Sequence, residues 1–394
     1  MGVREAAARP YLQQGHDLVR AAFEQGLLAR VVPRLLELAG GGALLDLGCG
    51  DGLAGRLAGA RLTRYLGLDL EPDTAELPCA ARDLRDGLGR LRPQPFDLYL
   101  GYFGIASHLS PAELHRLLHD IARHARPGAV VALEALGLYS LEWPRLWGTA
   151  PGPDRSLPYR LAEDVLVHPW APAELLALFE DAGIRPVSAL DRTLQAGPKA
   201  GEGRYWRGLP SVRCALNGLL RGEAPTGDLV ARLPPLPAGM PALFHHALAD
   251  RRRELVDRST KRGPALAESI WRLEPPTGTG CGHGLLVVGR VRQPRPCASS
   301  VRAKAVRGNA RATARASAMV STSRCGASAA TRRPSARSRR TWAAPVSLLD
   351  IGTPSNAAES GERMPIVQYP PSNAGPTTAS TPGRASRAAA CVSR

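Results

Sequence analysis

Apolar and polar residues follow two repeating patterns between residues 43 and 291 of this 394-residue chain. Short, almost wholly apolar runs predict buried strands, and longer stretches with an apolar residue at every third or fourth position predict amphipathic helices. The strands are predicted at 43–47, 65–69, 79–82, 96–100, 129–135, 184–194 and 285–291. The helices between them are predicted at 52–60, 111–126 and 172–183. This alternation predicts an α/β fold with helices on both faces of a mostly parallel sheet.

The chain before this alternating region has a helical pattern of its own. Apolar residues recur at three- and four-residue steps over residues 11–38, with Pro33 as the predicted break. We therefore predict an N-terminal helical cap at 1–40 and an α/β core at 41–194. A helix that packs on the sheet without covering a site is the alternative.

The last core strand, at 284–292, is separated from the other strands by residues 195–283. Helical spacing at 242–255 and 265–273 predicts that this separating segment is a mainly helical insertion. If the insertion folds back over the open ends of the strands, it would cover a bound molecule. We therefore hypothesise that it is a substrate lid.

A tail at residues 293–394 is rich in Arg, Ala, Ser, Thr and Pro and has few large apolar side chains. Such a composition cannot bury a core and predicts disorder. Residues 291–394 hold 17 of the 51 Lys and Arg residues and 3 of the 35 Asp and Glu residues, which leaves 34 and 32 in the first 290 residues. The body is therefore nearly neutral. A basic tail that contacts nucleic acid is one interpretation, and out-of-frame translation of a GC-rich gene is the interpretation that we favour.

Three glycines at alternate positions, Gly48, Gly50 and Gly52, follow the first strand and precede a helix. Glycine lets a backbone approach a ligand closely, and a helix N-terminus offers free N–H groups. The second strand ends at Asp69, where a nucleotide-binding α/β unit binds a ribose diol. The dinucleotide fingerprint would require glycine at the position of Leu53. The pattern favours a nucleoside-type cofactor, and a tight turn with nothing bound is the alternative.

The segment 45–52 closely resembles motif I of class I S-adenosyl-L-methionine-dependent methyltransferases, and the segment after the strand at 96–100 resembles their motif IV. The resemblance covers roughly residues 40–194 and 284–291. It implies a Rossmann-like, seven-stranded, mostly parallel sheet whose last strand runs antiparallel between strands five and six. It also implies S-adenosyl-L-methionine as the cofactor.

The same resemblance implies a role for individual residues. Asp46 would reach the methionine ammonium group through water, Asp69 would bind the two ribose hydroxyls, and Asp83 would bind the adenine amino group. Leu70 would lie against the adenine, and the residues after the fourth strand would border the methyl group. The implied cofactor-binding residues are Asp46, Gly48, Gly50, Gly52, Asp69, Leu70, Asp83, Leu84, Gly101 and Tyr102.

Methyl transfer from a sulfonium is a direct displacement, so a base is needed only when the acceptor must lose a proton. His108 is the first candidate for that base because it follows the fourth strand at the mouth of the predicted site. The alternative is a histidine without a proton-transfer role. Glu134 and Glu142 resemble the paired acids of protein arginine methyltransferases, but they follow the fifth strand rather than the fourth, and we discount that match.

The seven cysteines are scattered, with no C-x-x-C pair. This distribution predicts neither a metal site nor a disulfide framework and favours a reducing cytoplasm. No apolar run approaches the length of a membrane span.

The expected acceptor is a small molecule, because the body is nearly neutral and no Asn/Asp-Pro-Pro-aromatic run follows the fourth strand. Nucleic acid would be contacted only through the tail. Two alternatives remain open at this point. One is a nucleotide-dependent oxidoreductase or epimerase on a related sheet, and the other is a non-catalytic RNA-associated protein that uses the basic tail.

Overall fold

A computed structural model describes residues 17–292, except for 75, 90, 92, 153–154, 159–165, 195–211, 231, 234 and 276. The predicted tail, the start of the cap and the start of the insertion lie outside these described residues. The helices are α1 (Gln25–Ala39), α2 (Leu53–Ala58), α3 (Pro111–His124), α4 (Pro172–Asp181), α5 (Val212–Leu220), α6 (Met240–Arg258) and α7 (Gly263–Trp271). The strands are β1 (Ala43–Leu47), β2 (Arg64–Asp69), β3 (Cys79–Ala81), β4 (Leu98–Gly101), β5 (Val130–Leu136), β6 (Ile184–Arg192) and β7 (Gly284–Val291), with a separate ribbon of Leu157–Pro158 and Leu166–Val167.

The seven main strands form one sheet in the order β3-β2-β1-β4-β5-β7-β6. All neighbouring pairs are parallel except those of β7, which runs antiparallel to both β5 and β6. Every residue of β5 is buried, as expected of a central strand covered on both faces. The predicted fold class, including the reversed last strand between strands five and six, is confirmed.

Helices cover the sheet on two sides, and each side has its own apolar cluster. One cluster joins alternate residues of the strands to α3 and α4, and the other joins the remaining strand residues to α1 and α2. The start of α3 is fixed by a capping box, in which the Ser110 side chain accepts from the Glu113 backbone and the Glu113 side chain accepts from the Ser110 backbone. Helix α3 therefore begins where the sequence predicts.

The N-terminal helix differs from its prediction at Pro33. This residue lies inside α1, which continues to Ala39, so the predicted break is wrong. The irregularity occurs earlier, in a π-helical turn at Arg20–Glu24. A continuous buried stripe, which includes Leu28, stabilises α1 against the sheet on both sides of the proline and offsets the lost backbone hydrogen bond.

The described part of residues 195–283 contains three helices, and two of them, α6 and α7, lie where the sequence has helical spacing. Helix α5 is an additional element that the sequence did not indicate. Its residues Val212 and Leu216 pack with Ile270 of α7 and with Val19 of the N-terminal segment. The N-terminal segment and the insertion thus share one apolar cluster, although almost 200 residues separate them in the sequence.

Among the helices of the described residues, none combines the length and the apolar character that a membrane span requires.

Candidate cofactor site

The turn after β1 is built by glycines in left-handed conformations. Gly48 has φ = 71° and Gly50 has φ = 51°, and the backbone N–H of Gly48 donates to the carbonyl oxygen of Leu68 in β2 at 2.7 Å. A Cβ on Gly48 would lie 2.7 Å from Cδ1 of Ile105, whereas a Cβ on Gly50 would meet no atom within 4 Å. Gly48 is therefore a packing requirement, and Gly50 borders open space that a ligand can use.

Asp69 lies beside this open position and is held by backbone donors. The N–H of Gly50 donates to its Oδ2 at 2.9 Å, and the N–H of Glu71 donates to its Oδ1 at 3.1 Å. A carboxylate oxygen has two lone pairs, so each oxygen keeps one for a further hydroxyl donor. The next side chain, Leu70, is 36 % exposed, which leaves an apolar surface next to the carboxylate. Asp69 thus offers hydrogen-bond acceptors of the kind that ribose hydroxyls require, and Leu70 offers an apolar surface for a flat base.

Asp46 lies below the turn and is 3 % exposed. Its Oδ2 accepts from the hydroxyl of Tyr65 at 2.9 Å. Burial raises the pKa of Asp46 to about 7, with the hydrogen bond from Tyr65 acting in the opposite direction. Tyr65 was not predicted as part of the site, and the signal was available: it comes from the strand next to β1 and is the only hydroxyl in the segment 64–69.

Two thiols flank the same turn. Cys49 follows Gly48, and its Sγ lies 3.8 Å from the Sγ of Cys79 at the start of β3. Burial raises the pKa of both thiols, which keeps them protonated at neutral pH. They are free and contribute packing rather than a nucleophile.

Asp83 and Leu84 follow β3 at the predicted place. Both carboxylate oxygens of Asp83 accept from Arg85, with a shortest contact of 2.6 Å, and its Oδ1 also accepts from the Arg85 backbone. A bond from Asp83 to an adenine amino group would share the carboxylate with this arginine. The Leu84 side chain is buried in the core, so its backbone is the part that could face a ligand.

Gly101 and Tyr102 lie at the end of β4. A Cβ on Gly101 would lie 2.5 Å from Cγ2 of Ile105, so packing alone accounts for the glycine. Tyr102 is buried, and its burial raises its pKa. His108 ends the 3-10 turn that follows, where it is partly buried. The structure thus brings these three residues to the same end of the sheet as the glycine turn.

A group of buried charges lies at the carboxyl ends of β5 and β6. The Nε of Arg192 donates to both carboxylate oxygens of Glu134 at 3.2 Å, and the backbone N–H of Phe103 donates to the same carboxylate at 3.3 Å. Burial acts to lower the pKa of Arg192, but the carboxylates of Glu134 and Glu24 outweigh it and hold that pKa above its ordinary value. Buried charges persist only when they are paired in this way.

The N-terminal segment and α5 complete this group. Arg213 donates to Glu24 at 2.6 Å and to Asp17 at 3.0 Å, and Nη1 of Arg192 lies 3.3 Å from Oε2 of Glu24. The guanidinium of Arg20 lies over the Phe103 ring, 4.4 Å from its centroid. We call these three carboxylates and three guanidiniums the charged cluster: Asp17, Arg20, Glu24, Glu134, Arg192 and Arg213.

Glu134 and Glu142 do not act as a pair of acids. Glu142 is buried and bonds Nδ1 of His283 at 2.7 Å, while Glu134 belongs to the charged cluster. Because the two carboxylates have separate partners, they do not form the pair of acids that protein arginine methyltransferases have.

The glycine turn lies at the carboxyl end of β1, between β2 on one side and β4 on the other, which is the switch point where open α/β sheets bind ligands. The strand order, with only β7 reversed, is the order that the resemblance implied. The chain has the class I methyltransferase fold. S-Adenosyl-L-methionine fits the residues present, because the open position at Gly50, the oriented Asp69 and the exposed Leu70 suit an adenosyl group.

No family model matches the chain, and no curated protein matches it. Solved structures of similar class I methyltransferase fold include an S-adenosylmethionine-dependent methyltransferase from Archaeoglobus fulgidus (14 % identity, 69 % of this chain and 98 % of that one, TM-score 0.37). Another is an S-adenosylmethionine-dependent methyltransferase from Mesorhizobium loti (17 % identity, 66 % of this chain and 96 % of that one, TM-score 0.37). A third is the [4+2]-cyclase SpnF (16 % identity, 68 % of this chain and 82 % of that one, TM-score 0.36). These three include a cyclase as well as methyltransferases, and at such identities and TM-scores they carry no argument about the reaction.

Proposed function

We propose that the protein transfers a methyl group from S-adenosyl-L-methionine to a small-molecule acceptor by direct displacement. The observation that carries this proposal is the carboxylate of Asp69, which two backbone N–H groups orient beside the open position at Gly50. An orienting bond to each oxygen leaves the carboxylate ready to accept from two neighbouring hydroxyls. A ribose diol has that arrangement.

The remaining binding residues act by charge and shape. Asp46 would become ionised when a cationic ammonium group lies near it, because an opposite charge favours the charged form of an acid. Leu70 would cover one face of the adenine, and Asp83 would accept from its amino group beside Arg85. When bound, the cofactor supplies an already activated methyl group, so the residues after β4 have to position the acceptor and exclude water.

Support for a small-molecule acceptor comes from charge. The first 290 residues hold 34 basic and 32 acidic residues, so the body offers no excess of positive charge for a phosphate backbone. The charged cluster is internally balanced, and four of its six residues are buried, so it offers a polyanion no excess of positive charge. His108, at the same end of the sheet, is our candidate for removing a proton from an acceptor that must lose one.

Calorimetric titration of the full chain with S-adenosylhomocysteine tests the proposal. We expect one site per chain, and about 10- to 100-fold weaker binding in Asp69→Asn, because hydrogen bonds to a charged group contribute about 1.5–3 kcal/mol. Glu71→Gln is the matched control, since it removes the same charge from an exposed neighbour two residues away. It should bind as the unaltered chain does.

A parallel titration with NADH separates the proposal from its main rival. Tight NADH binding without binding of S-adenosylhomocysteine would overturn the methyltransferase proposal in favour of an oxidoreductase or epimerase. Equal affinity of the Asp69→Asn variant and its control for S-adenosylhomocysteine would also overturn the proposal, because Asp69 is the proposed acceptor for the two ribose hydroxyls.

A further inference from the structure

Two histidines and an aspartate converge on the outer face of α3 and α4, away from the glycine turn in the fold. Nε2 of His115 lies 2.7 Å from Oδ2 of Asp181, and Nε2 of His119 lies 3.2 Å from the His115 nitrogen and 3.5 Å from the same aspartate oxygen. His115 and His119 are one helical turn apart on α3, and Asp181 is the last residue of α4. Within the described part of the chain, these side chains form a group able to hold a metal ion.

The spacing of the three atoms suits a transition-metal ion. With separations of 2.7, 3.2 and 3.5 Å, a circle through the three atoms has a radius of about 1.8 Å, shorter than the roughly 2.0–2.1 Å bonds of zinc to imidazole nitrogen and carboxylate oxygen. A point slightly outside the plane of the atoms is therefore at bonding distance from all three. The three atoms are therefore close enough together for a three-coordinate protein site with an open fourth position.

Without an ion, Nε2 of either imidazole can donate to Oδ2 of Asp181, which has lone pairs for both. A divalent cation accepts all three lone pairs at once, and the neutral imidazoles and the carboxylate are the forms that metal binding needs.

The backbone that carries the three ligands is rigid. On α3, Leu114 and Leu118 are completely buried, which fixes the rotation of the helix and turns the histidine face outward. On α4, Leu175 and Phe179 are also completely buried, in the same apolar cluster as the α3 residues. Because both helices are anchored by the core, the backbone positions that carry the three ligands are fixed before an ion arrives.

We propose that His115, His119 and Asp181 bind a divalent transition-metal ion, with zinc as the best match, and that the ion joins α3 to α4. Two imidazoles and one carboxylate favour zinc, nickel or copper over magnesium and calcium, which prefer oxygen ligands. The scattered cysteines predicted no metal site, and this site uses none of them. The proposal does not depend on the identity of the cofactor or the acceptor.

Titration of the full chain with zinc chloride, followed by calorimetry and by thermal unfolding, tests this site. We expect one zinc ion per chain at this site, a raised melting temperature, and at least about tenfold weaker binding in His119→Ala and in Asp181→Asn. The matched controls are His246→Ala and Asp250→Asn, which remove an exposed histidine and an exposed aspartate from α6. The controls should bind zinc as the unaltered chain does.

Cobalt substitution distinguishes this site from the thiols. We expect cobalt bound by nitrogen and oxygen to show visible bands without a thiolate-to-cobalt charge-transfer band. A thiolate band, unchanged zinc affinity in His119→Ala, or no stoichiometric binding at all would overturn the proposal. His119 is partly exposed, so we expect His119→Ala to remain folded. Thermal unfolding of the metal-free variants checks this expectation.

Discussion

The two halves of the sheet's carboxyl edge are built in opposite ways. At the ends of β1 and β2, which we call the glycine side, the backbone makes the surface: positive-φ glycines form the turn, and backbone N–H groups orient Asp69. At the carboxyl ends of β5 and β6, which we call the charged side, paired side chains fill the space. One side is open to a ligand, and the other is closed by charges that neutralise each other.

The two sides serve different tasks. A surface of backbone groups with little side-chain bulk can accept a cofactor without reorganising. A closed set of ion pairs tolerates no unpaired partner, so it fixes the relative positions of the N-terminal segment, the sheet and α5. The glycine side is therefore where binding should respond to mutation, and the charged side is where stability should respond.

The largest expected effect is on the charged side. Arg192→Met would leave the carboxylate of Glu134, which is 0 % exposed, without its guanidinium partner. We expect a loss of about 3–5 kcal/mol in the free energy of unfolding, because removing one partner leaves an uncompensated buried charge. Urea unfolding followed by circular dichroism measures this loss.

The double variant Glu134→Gln/Arg192→Met is the control for this change. It removes the stranded carboxylate together with the guanidinium, so we expect it to recover a large part of the lost stability. A double variant as unstable as Arg192→Met alone would show that packing of the arginine, rather than its charge, explains the loss.

The next effect concerns Asp46 and appears as a dependence on pH. Its pKa is about 7 in the folded chain and 3.8 ordinarily, so between these values the folded chain retains a proton that the unfolded chain has lost. The contribution of this carboxyl to the free energy of unfolding is fully present below about pH 4 and is lost as the pH rises through about 7. The change is on the order of 4 kcal/mol.

Asp46→Asn removes this titration while keeping an oxygen that can accept from Tyr65. The difference in unfolding free energy between the variant and the unaltered chain should therefore change with pH between about 4 and 8, in favour of the variant at high pH. A difference that stays constant across this range would contradict the raised pKa.

The smallest effect compares two glycines of one turn. Both Gly48→Ala and Gly50→Ala place a side chain at positive φ, which costs roughly 1–2 kcal/mol. Gly48→Ala adds a contact with Ile105 and should lose more stability, whereas Gly50→Ala places a methyl group in open space and should lose more affinity for S-adenosylhomocysteine. Equal losses of affinity in the two variants would show that the open position is not part of the binding site.

The glycine side could be predicted from the sequence because its residues are close together along the chain. Residues 43–69 contain the first strand, the turn and Asp69, and each carries a local signal such as an apolar run or alternate glycines. The strand order was predicted through the resemblance to class I methyltransferases, which assigned the apolar run at 285–291 to the reversed last strand. Pro33 misled the prediction, since its local preference was overridden by apolar packing on the sheet.

The charged side could not be predicted in the same way. Glu24, Glu134, Arg192 and Arg213 are ordinary charged residues in the sequence, and only tertiary packing brings them together. Helix α5 was missed for a related reason, since the residues that it packs against, such as Val19 and Ile270, lie far from it in the sequence.

The position of β7 has a consequence for the order in which the protein is synthesised. Because β7 lies between β5 and β6, neither of these two strands can pair with β7 until residues 284–291 leave the ribosome. The insertion at 195–283 delays that moment by roughly 4–18 s at ordinary rates of translation. During this interval one edge of the mostly apolar strand β5 and both edges of β6 are open to incorrect pairing. A nascent chain of this protein is therefore expected to need protection most while its insertion is being made.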